Sequence, residues 1–236
     1  MKTIGLIGGM SWQSSLDYYR IINELVAQKL GGQHSAVCVM YSLDLDPILI
    51  YRDSGEWDKN TDILVDAIKK IEAAGADFTL ICSNTMHKTY DDIQARVEKP
   101  ILHITDVLAA EIKKRAFKKV GLLGTRFVLK EDFCKGRLRQ KHGIDVIIPK
   151  NEEDVQFVHD VIYNELDFAI LKPESRERYV RIIEDMGRDG AEAVVLGCTE
   201  IQMLVKQEHT AVPLLDTTAL HTQAAVDLAL ELKSSS

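Results

Sequence analysis

The sequence predicts an α/β protein made of two pseudo-symmetric halves, each a four-stranded parallel sheet flanked by helices. Short runs rich in Val, Ile and Leu alternate with longer amphipathic stretches, which is the pattern of βα units. Segments of the first half also recur, in the same order, in the second half. Because parallel sheets bind ligands beyond the carboxyl ends of their strands, we expect an active site in the cleft between the halves.

The predicted strands are short apolar runs bounded by Gly, Pro or charged residues. In chain order they are Thr3–Ile7, Ala36–Tyr41, Phe78–Ile81, Ile101–Ile104, Lys119–Leu123, Asp145–Ile148, Ala193–Leu196 and Val212–Leu215. The predicted helices carry apolar residues three to four positions apart, which gives each one a buried face. In chain order they are Ser15–Lys29, Thr61–Ala74, Tyr90–Val97, Val107–Arg115, Glu131–Lys141, Val155–Leu166, Ser175–Gly187 and Thr218–Lys233.

The internal repeat aligns the two halves at an offset of about 115 residues. Ile4–Gly8 matches Val120–Gly124, and Gly75–Leu80 matches Gly190–Val195. Matches that keep their order predict a duplicated protein whose halves are related by an approximate two-fold. The expected domains are residues 1–105 with 216–236 and residues 106–215.

Composition and charge favour small-molecule chemistry. The 236 residues are 46% apolar, and a net charge of −7 without a Lys/Arg-rich run argues against a nucleic-acid partner. No apolar stretch approaches the roughly 20 residues that span a bilayer, and the N-terminus lacks signal features, so we expect a soluble, cytoplasmic protein without a membrane partner. The four cysteines form no C-x-x-C pair and the histidines are scattered, so we expect reduced thiols and no metal. The segment Gly5–Met10 lacks the G-x-G-x-x-G spacing of an NAD site.

Polar residues follow the third strand of each half, namely Ser83–Thr85 in the first and Cys198–Glu200 in the second. The repeat offset aligns Cys198 with Ser83 rather than with Cys82. Small polar residues at such a strand end present side chains and backbone N–H groups that suit a carboxylate. The alternative is that they only cap the next helix.

These segments resemble the paired signatures of the aspartate/glutamate racemase family. The resemblance rests on Cys82–His87 and Gly197–Ile201, and Gly8–Ser11 is similar to the family's N-terminal loop. It implies a PLP-independent amino-acid racemase, an isomerase that needs no cofactor. Two residues on opposite faces of the substrate Cα would remove and return a proton. It also implies aspartate or glutamate as substrate and a homodimeric assembly.

The resemblance implies that Cys198 is the dominant catalytic acid and base. A thiol has a pKa near 8.5, which a neighbouring cation or helix N-terminus can lower into a useful range. In the family's usual pattern the opposing residue is also cysteine, but this chain has Ser83 there, and an alcohol is a much weaker acid. Three alternatives stay open: Ser83 acts as a poorer second group and favours one direction of proton removal, Cys82 replaces it through a local shift, or Cys198 works alone. Alternation along a strand favours Ser83, with Cys82 in the core.

Further residues receive substrate-binding roles by the same resemblance. Asn84, Thr85 and Thr199 would hold the α-carboxylate, and Met10 would lie against the substrate. Arg52 would reach the distal carboxylate, since a guanidinium pairs well with one, although a solvated helix-end arginine is the alternative. Thr125 is expected to face the cleft because it lies at the end of the first strand of the second half, and Glu200 completes the expected set. We expect surface or capping roles for His87 and His221, and core positions for Cys38 and Cys134.

Two other classes of function are compatible with these residues. Relatives in the superfamily include maleate isomerases and single-cysteine decarboxylases, and the loss of one thiol makes such an activity an alternative. A two-lobed protein that binds a small carboxylate without reaction is the other.

Overall fold

The computed structural model describes residues 1–231 and divides into two compact units. The first unit is Met1–Ile104 together with the chain from His221 onward, and the second is Thr105–Leu220. The chain thus returns to the first unit at His221, later than position 216, where the sequence analysis places the boundary. Each unit contains one parallel sheet flanked by helices, so the predicted α/β class is confirmed.

The first unit contains a three-stranded parallel sheet in the order β2-β1-β3. Its strands are β1 (Ile4–Gly8), β2 (Cys38–Ser42) and β3 (Phe78–Ile81). Its helices before the crossover are α1 (Trp12–Leu30), α2 (Leu45–Asp53), α3 (Trp57–Ala73) and α4 (Tyr90–Gln94), and a 3-10 helix, Thr85–Thr89, precedes α4. Every residue of β1 and β3 is buried, which explains why both strands are mostly apolar.

The predicted fourth strand of the first half, Ile101–Ile104, is wrong. An isolated bridge forms at Ile101, and Ile104 already begins the next helix. The backbone beyond the bridge finds a different partner, because the Leu102 carbonyl accepts a hydrogen bond from Nε2 of His221 at 2.8 Å. An imidazole therefore takes a backbone group that a longer strand would offer to a sheet neighbour.

The second unit contains the expected four-stranded parallel sheet, in the order β5-β4-β6-β7. Its strands are β4 (Lys119–Leu123), β5 (Asp145–Ile147), β6 (Ala193–Leu196) and β7 (Leu214–Asp216). Its helices are α5 (Ile104–Lys114), α6 (Arg126–Lys130), α7 (Asp132–His142), α8 (Glu152–Asn164), α9 (Pro173–Arg188) and α10 (Ile201–Leu204), and α11 (Thr217–Ala229) leads back to the first unit. Alternate residues of β6 enter two different apolar clusters, with Val195 in one and Val194 in the other. Both faces of the sheet are therefore covered.

Three short helices, α2, α6 and α10, are absent from the sequence prediction. The last predicted helix, Thr218–Lys233, ends earlier, at Ala229, and Leu232 and Lys233 lie outside the described residues. In the described part of the chain, every helix is too short or too polar to cross a membrane.

Candidate active site

Polar segments lie at the carboxyl ends of the parallel strands in both units. In the first unit, Gly9 and Met10 follow β1 and Ser83–Thr85 follows β3. In the second unit, Thr125 follows β4 and Cys198–Glu200 follows β6. This is the edge of a parallel α/β sheet at which ligands bind.

A single hydroxyl group holds the loop after β1. Ser15 Oγ accepts a hydrogen bond from the Gly9 N–H and donates one to the Ser11 carbonyl, both at 2.8 Å. Gly9 has φ of 85°, and a side chain there would collide with the Leu43 backbone. The loop therefore has one defined path, and Met10 packs into the apolar cluster of the first unit. The predicted contact of Met10 with substrate stays a prediction.

Cys82 and Ser83 lie in different surroundings. Cys82 is fully buried in an apolar cluster with Leu6 and Leu80, and burial raises the pKa of its thiol far above the usual range. Ser83 is 8% exposed, and within residues 1–231 its hydroxyl makes no hydrogen bond. Its carbonyl accepts a hydrogen bond from Nδ1 of His87 at 2.7 Å. These surroundings support the assignment of Cys82 to the core and leave Ser83 as the candidate acid/base.

Asn84 and Thr85 continue into the 3-10 helix that begins at Thr85. Both side chains are buried, and Asn84 makes no side-chain capping bond to that helix. Capping therefore does not account for the Asn84 side chain. A role in holding a substrate carboxylate stays a prediction for both residues.

Arg52 is buried near the end of α2, with 7% of its side chain exposed, so the alternative of a solvated arginine is wrong. Its Nε donates to the Asp53 carboxylate at 2.8 Å. Asn60 of α3 donates from Nδ2 to the Ile48 carbonyl at 3.2 Å, which ties α2 to the neighbouring helix. The guanidinium is thus held on an anchored helix.

Cys198, Thr199 and Glu200 converge on one carboxylate oxygen. The Cys198 thiol and the Thr199 hydroxyl each donate to Oε2 of Glu200 at 2.9 Å. Burial raises the pKa of the Cys198 thiol well above the usual range, and the carboxylates of Glu200 and Asp167 raise it further. These carboxylates oppose the lowering of the pKa that a cation or a helix N-terminus would provide, and the Cys198 thiol has a proton acceptor in contact.

Thr125 and Thr199 each make a local hydrogen bond. Thr125 caps α6, because its Oγ1 accepts from the Val128 N–H at 3.5 Å. The Thr199 hydroxyl donates to Glu200, which leaves its backbone N–H as the group to consider for a substrate carboxylate. No set of three or more His, Cys, Asp or Glu side chains within residues 1–231 is arranged to hold a metal ion.

His87 and His221 are buried, so the expected surface roles are wrong. His221 Nδ1 lies 2.9 Å from the Tyr18 hydroxyl, and its Nε2 donates to the Leu102 carbonyl. Burial lowers the pKa of His221 to about 3. A neutral imidazole cannot lend charge to a site near neutral pH.

The family model for Asp/Glu/Hydantoin racemases matches residues 7–225 of the chain. The chain belongs to this family. The resemblance inferred from the sequence is thereby confirmed, and because racemases are isomerases, the protein is a racemase-family isomerase.

Relatives of this racemase-family chain match it along nearly its whole length. The structure of a candidate Asp/Glu racemase from Yersinia pestis is 44% identical, with a TM-score of 0.91, and covers 98% of this chain and 100% of its own. The structure of an aspartate racemase homologue from Pyrococcus horikoshii is 34% identical, with a TM-score of 0.85 and the same coverage. The broad specificity amino-acid racemase RacX from Bacillus subtilis is 24% identical over 98% of this chain and its own full length.

The contact between the Cys198 thiol and Glu200 is the site feature that sequence reasoning missed in this racemase-family chain. Glu200 is two residues beyond Cys198, where the chain has left the strand, so strand alternation does not predict which way it points. The sequence signal that could have indicated this contact is a carboxylate residue two positions after a cysteine at a strand end.

Replacing Glu200 by glutamine tests the electrostatic control of the racemase-family cysteine. The amide keeps the shape and an oxygen acceptor for both donors but removes the negative charge that raises the pKa of Cys198. In Glu200→Gln, alkylation of Cys198 by iodoacetamide should therefore reach half its maximal rate at a lower pH than in the wild type. Peptide mapping by mass spectrometry measures the rate of Cys198 alkylation at each pH.

Cys38 provides the internal control for this measurement. Its thiol is half-buried, and burial alone raises its pKa, so its alkylation profile should be the same in both proteins. An unchanged profile for Cys198 would contradict the electrostatic control by Glu200.

Proposed function

We propose that the protein racemises aspartate or glutamate without a cofactor, with Cys198 and Ser83 exchanging protons at the substrate Cα. The observation that carries the proposal is the Cys198 thiol, hydrogen-bonded to Glu200 at the carboxyl end of β6 in a racemase-family chain. A thiol in contact with a carboxylate can act as a base after proton transfer to that carboxylate and can otherwise act as an acid.

In the first direction, the Cys198 proton passes to Glu200 and the resulting thiolate removes the Cα proton. The Ser83 hydroxyl then gives its proton to the opposite face of the carbanion and recovers one from water, and the proton held by Glu200 neutralises the hydroxide that remains. In the reverse direction, Ser83 takes the Cα proton as its own passes to water, and the Cys198 thiol returns a proton to Cα. The Cys198 thiolate then takes up the proton that water received, which restores the thiol. The surroundings support an unequal pair, because the thiol has an acceptor in contact and the Ser83 hydroxyl has none within residues 1–231.

This unequal pair is constrained by thermodynamics. The two enantiomers have the same free energy in solution, so kcat/KM must be equal in the two directions. The asymmetry can appear only in kcat and KM taken separately, and in the rates of proton exchange at Cα. Those rates are therefore the informative measurement.

An acidic substrate is proposed on account of Arg52. A buried guanidinium is suited in charge and geometry to pair with a carboxylate of a substrate. The relatives named as aspartate racemase homologue and broad specificity amino-acid racemase support an amino acid as substrate and leave its side chain open. We further propose that the protein is a cytoplasmic homodimer. Light scattering would measure the molar mass of the assembly.

Incubation of the purified protein in D2O with L-aspartate and, separately, L-glutamate tests the proposal. Incorporation of deuterium at Cα together with loss of optical rotation is the expected result, with no cofactor added. Absence of both with a panel of amino acids would contradict the proposed function. Exchange without inversion would indicate a single-thiol enzyme, and thermal stabilisation without exchange would indicate a binding protein.

A further inference from the structure

Three histidines form a buried cluster in the first unit, which sequence reasoning did not foresee. The ring centroid of His87 lies 4.7 Å from that of His103 and 6.1 Å from that of His221. Tyr90 closes the cluster with a ring centroid 4.4 Å from that of His103. The cluster lies directly behind the Ser83 backbone, because Nδ1 of His87 is 2.7 Å from the Ser83 carbonyl oxygen.

The two ring nitrogens of His87 have distinct partners that define its tautomer. The Ile104 N–H points at Nε2 over 3.3 Å, so Nε2 accepts a hydrogen bond and carries no proton. Nδ1 faces a carbonyl oxygen and therefore donates. His87 is thus a neutral imidazole that connects the Ser83 carbonyl to the backbone at the start of α5.

The Ser83 side chain depends on this backbone connection. Its hydroxyl makes no hydrogen bond within residues 1–231, so its position follows from the backbone that carries it. On one side, the Cys82 N–H donates to the Ile7 carbonyl at 3.0 Å and ends the sheet pairing. On the other side, the backbone leaves the sheet, and the Ser83 carbonyl is held by His87.

We propose that His87 is a positioning residue for Ser83, holding the serine backbone through the Nδ1–H so that its hydroxyl can exchange a proton with the substrate. This inference rests on the proposed function. His87 acts through Ser83 and is not assigned a contact with substrate. A misplacement of about 1 Å can reduce a rate by about 100-fold, so a lost backbone bond is expected to affect the serine step strongly.

His87→Asn and His87→Gln form a matched pair for the test. An asparagine amide reaches the place of Nδ1 and can still donate to the Ser83 carbonyl, whereas a glutamine amide reaches the place of Nε2 and can only replace the Ile104 contact. We expect His87→Asn to keep inversion within about threefold of the wild-type rate and His87→Gln to lower it at least about tenfold.

Exchange in D2O separates positioning from a general structural effect. Ser83→Ala first identifies the enantiomer that still exchanges its Cα proton without inversion, which is the one that Cys198 deprotonates. For that enantiomer, the rate of Cα proton exchange in His87→Gln should stay within about twofold of the rate in Ser83→Ala. The rate of inversion in His87→Gln should fall. A parallel fall of exchange and inversion, or unchanged inversion in His87→Gln, would overturn the proposal.

The wild-type protein provides a readout without any variant. Long-range nitrogen–proton NMR correlations of the imidazole should show the proton of His87 on Nδ1, and a proton on Nε2 would overturn the proposal even if neither variant folds. Failure of the proposed function is distinguishable, because the wild-type protein would then show no Cα exchange at all.

Discussion

Replacement of Cys198 by alanine should lower racemisation by about a thousandfold or more. General acid–base groups contribute about 10² to 10⁴ in rate, and Cys198 is the proposed acid or base in both directions of the reaction. The Ser83 hydroxyl that remains is a weaker acid than a thiol and has no hydrogen-bonded acceptor within residues 1–231. Glu200 keeps the Thr199 hydroxyl as a partner, so the loss is expected in the chemical step and not in folding.

The measurement is the initial rate of inversion for each enantiomer, followed by circular dichroism, with thermal unfolding as a check on the fold. Cys82→Ala is the matched control, since it removes a thiol next to Ser83 that lies in the apolar core. It should keep the wild-type kcat and cost about 1 kcal/mol of stability. If Cys82→Ala abolished inversion and Cys198→Ala did not, the assignment of the catalytic cysteine would be wrong.

Acidification should destabilise the protein strongly through His221. Its pKa is about 3 in the folded chain and near 6.5 in an unfolded one, so between these values the unfolded state binds the extra proton. The free energy of unfolding should therefore fall as pH drops from about 6.5 towards 3. Within this pH range, His221 changes the free energy of unfolding by about 1.4 kcal/mol per pH unit. Above pH 6.5 its imidazole is neutral in both states, so it adds no pH dependence.

Urea unfolding at a series of pH values from 4.5 to 8 measures this slope. His221→Gln is the matched variant, because its amide can donate to the Leu102 carbonyl but does not titrate. Between pH 4.5 and 6, the variant should take up about one proton fewer on unfolding than the wild type. Its free energy of unfolding should therefore depend less steeply on pH. Equal slopes in the two proteins would refute the role of His221.

Much of the fold was predictable because the strands β1, β3 and β6 are buried along their whole length. Ala193–Leu196 is apolar at every position, and both faces of that strand pack against apolar clusters. The segment at Ile101–Ile104 has the same apolar character, yet its backbone is bound by a histidine distant in sequence, which no local pattern reports. The sequence prediction misses short helices such as Leu45–Asp53 for another reason, because they are too short to display a helical period.

The candidate site was predictable at the level of segments and less so at the level of atoms. The repeat offset selects Ser83 over Cys82, and the position of Cys82 in an apolar cluster supports that choice. The electrostatics of Cys198 depend on how the chain folds back after β6, which brings Glu200 against the thiol. Such a contact depends on backbone dihedrals outside regular structure, where sequence periodicity carries no information.

The return of α11 to the first unit has a consequence for the order of folding during synthesis. Ala225 and Val226 complete the apolar cluster around Tyr18, and the same helix supplies His221 to the hydrogen bond with Tyr18. Because these residues follow the whole second unit in the chain, a ribosome must make residues 105–220 before the first unit can close its core. The second unit is continuous in sequence and can fold as its last strand emerges. The first unit, whose synthesis begins first, is therefore the last to complete its folding.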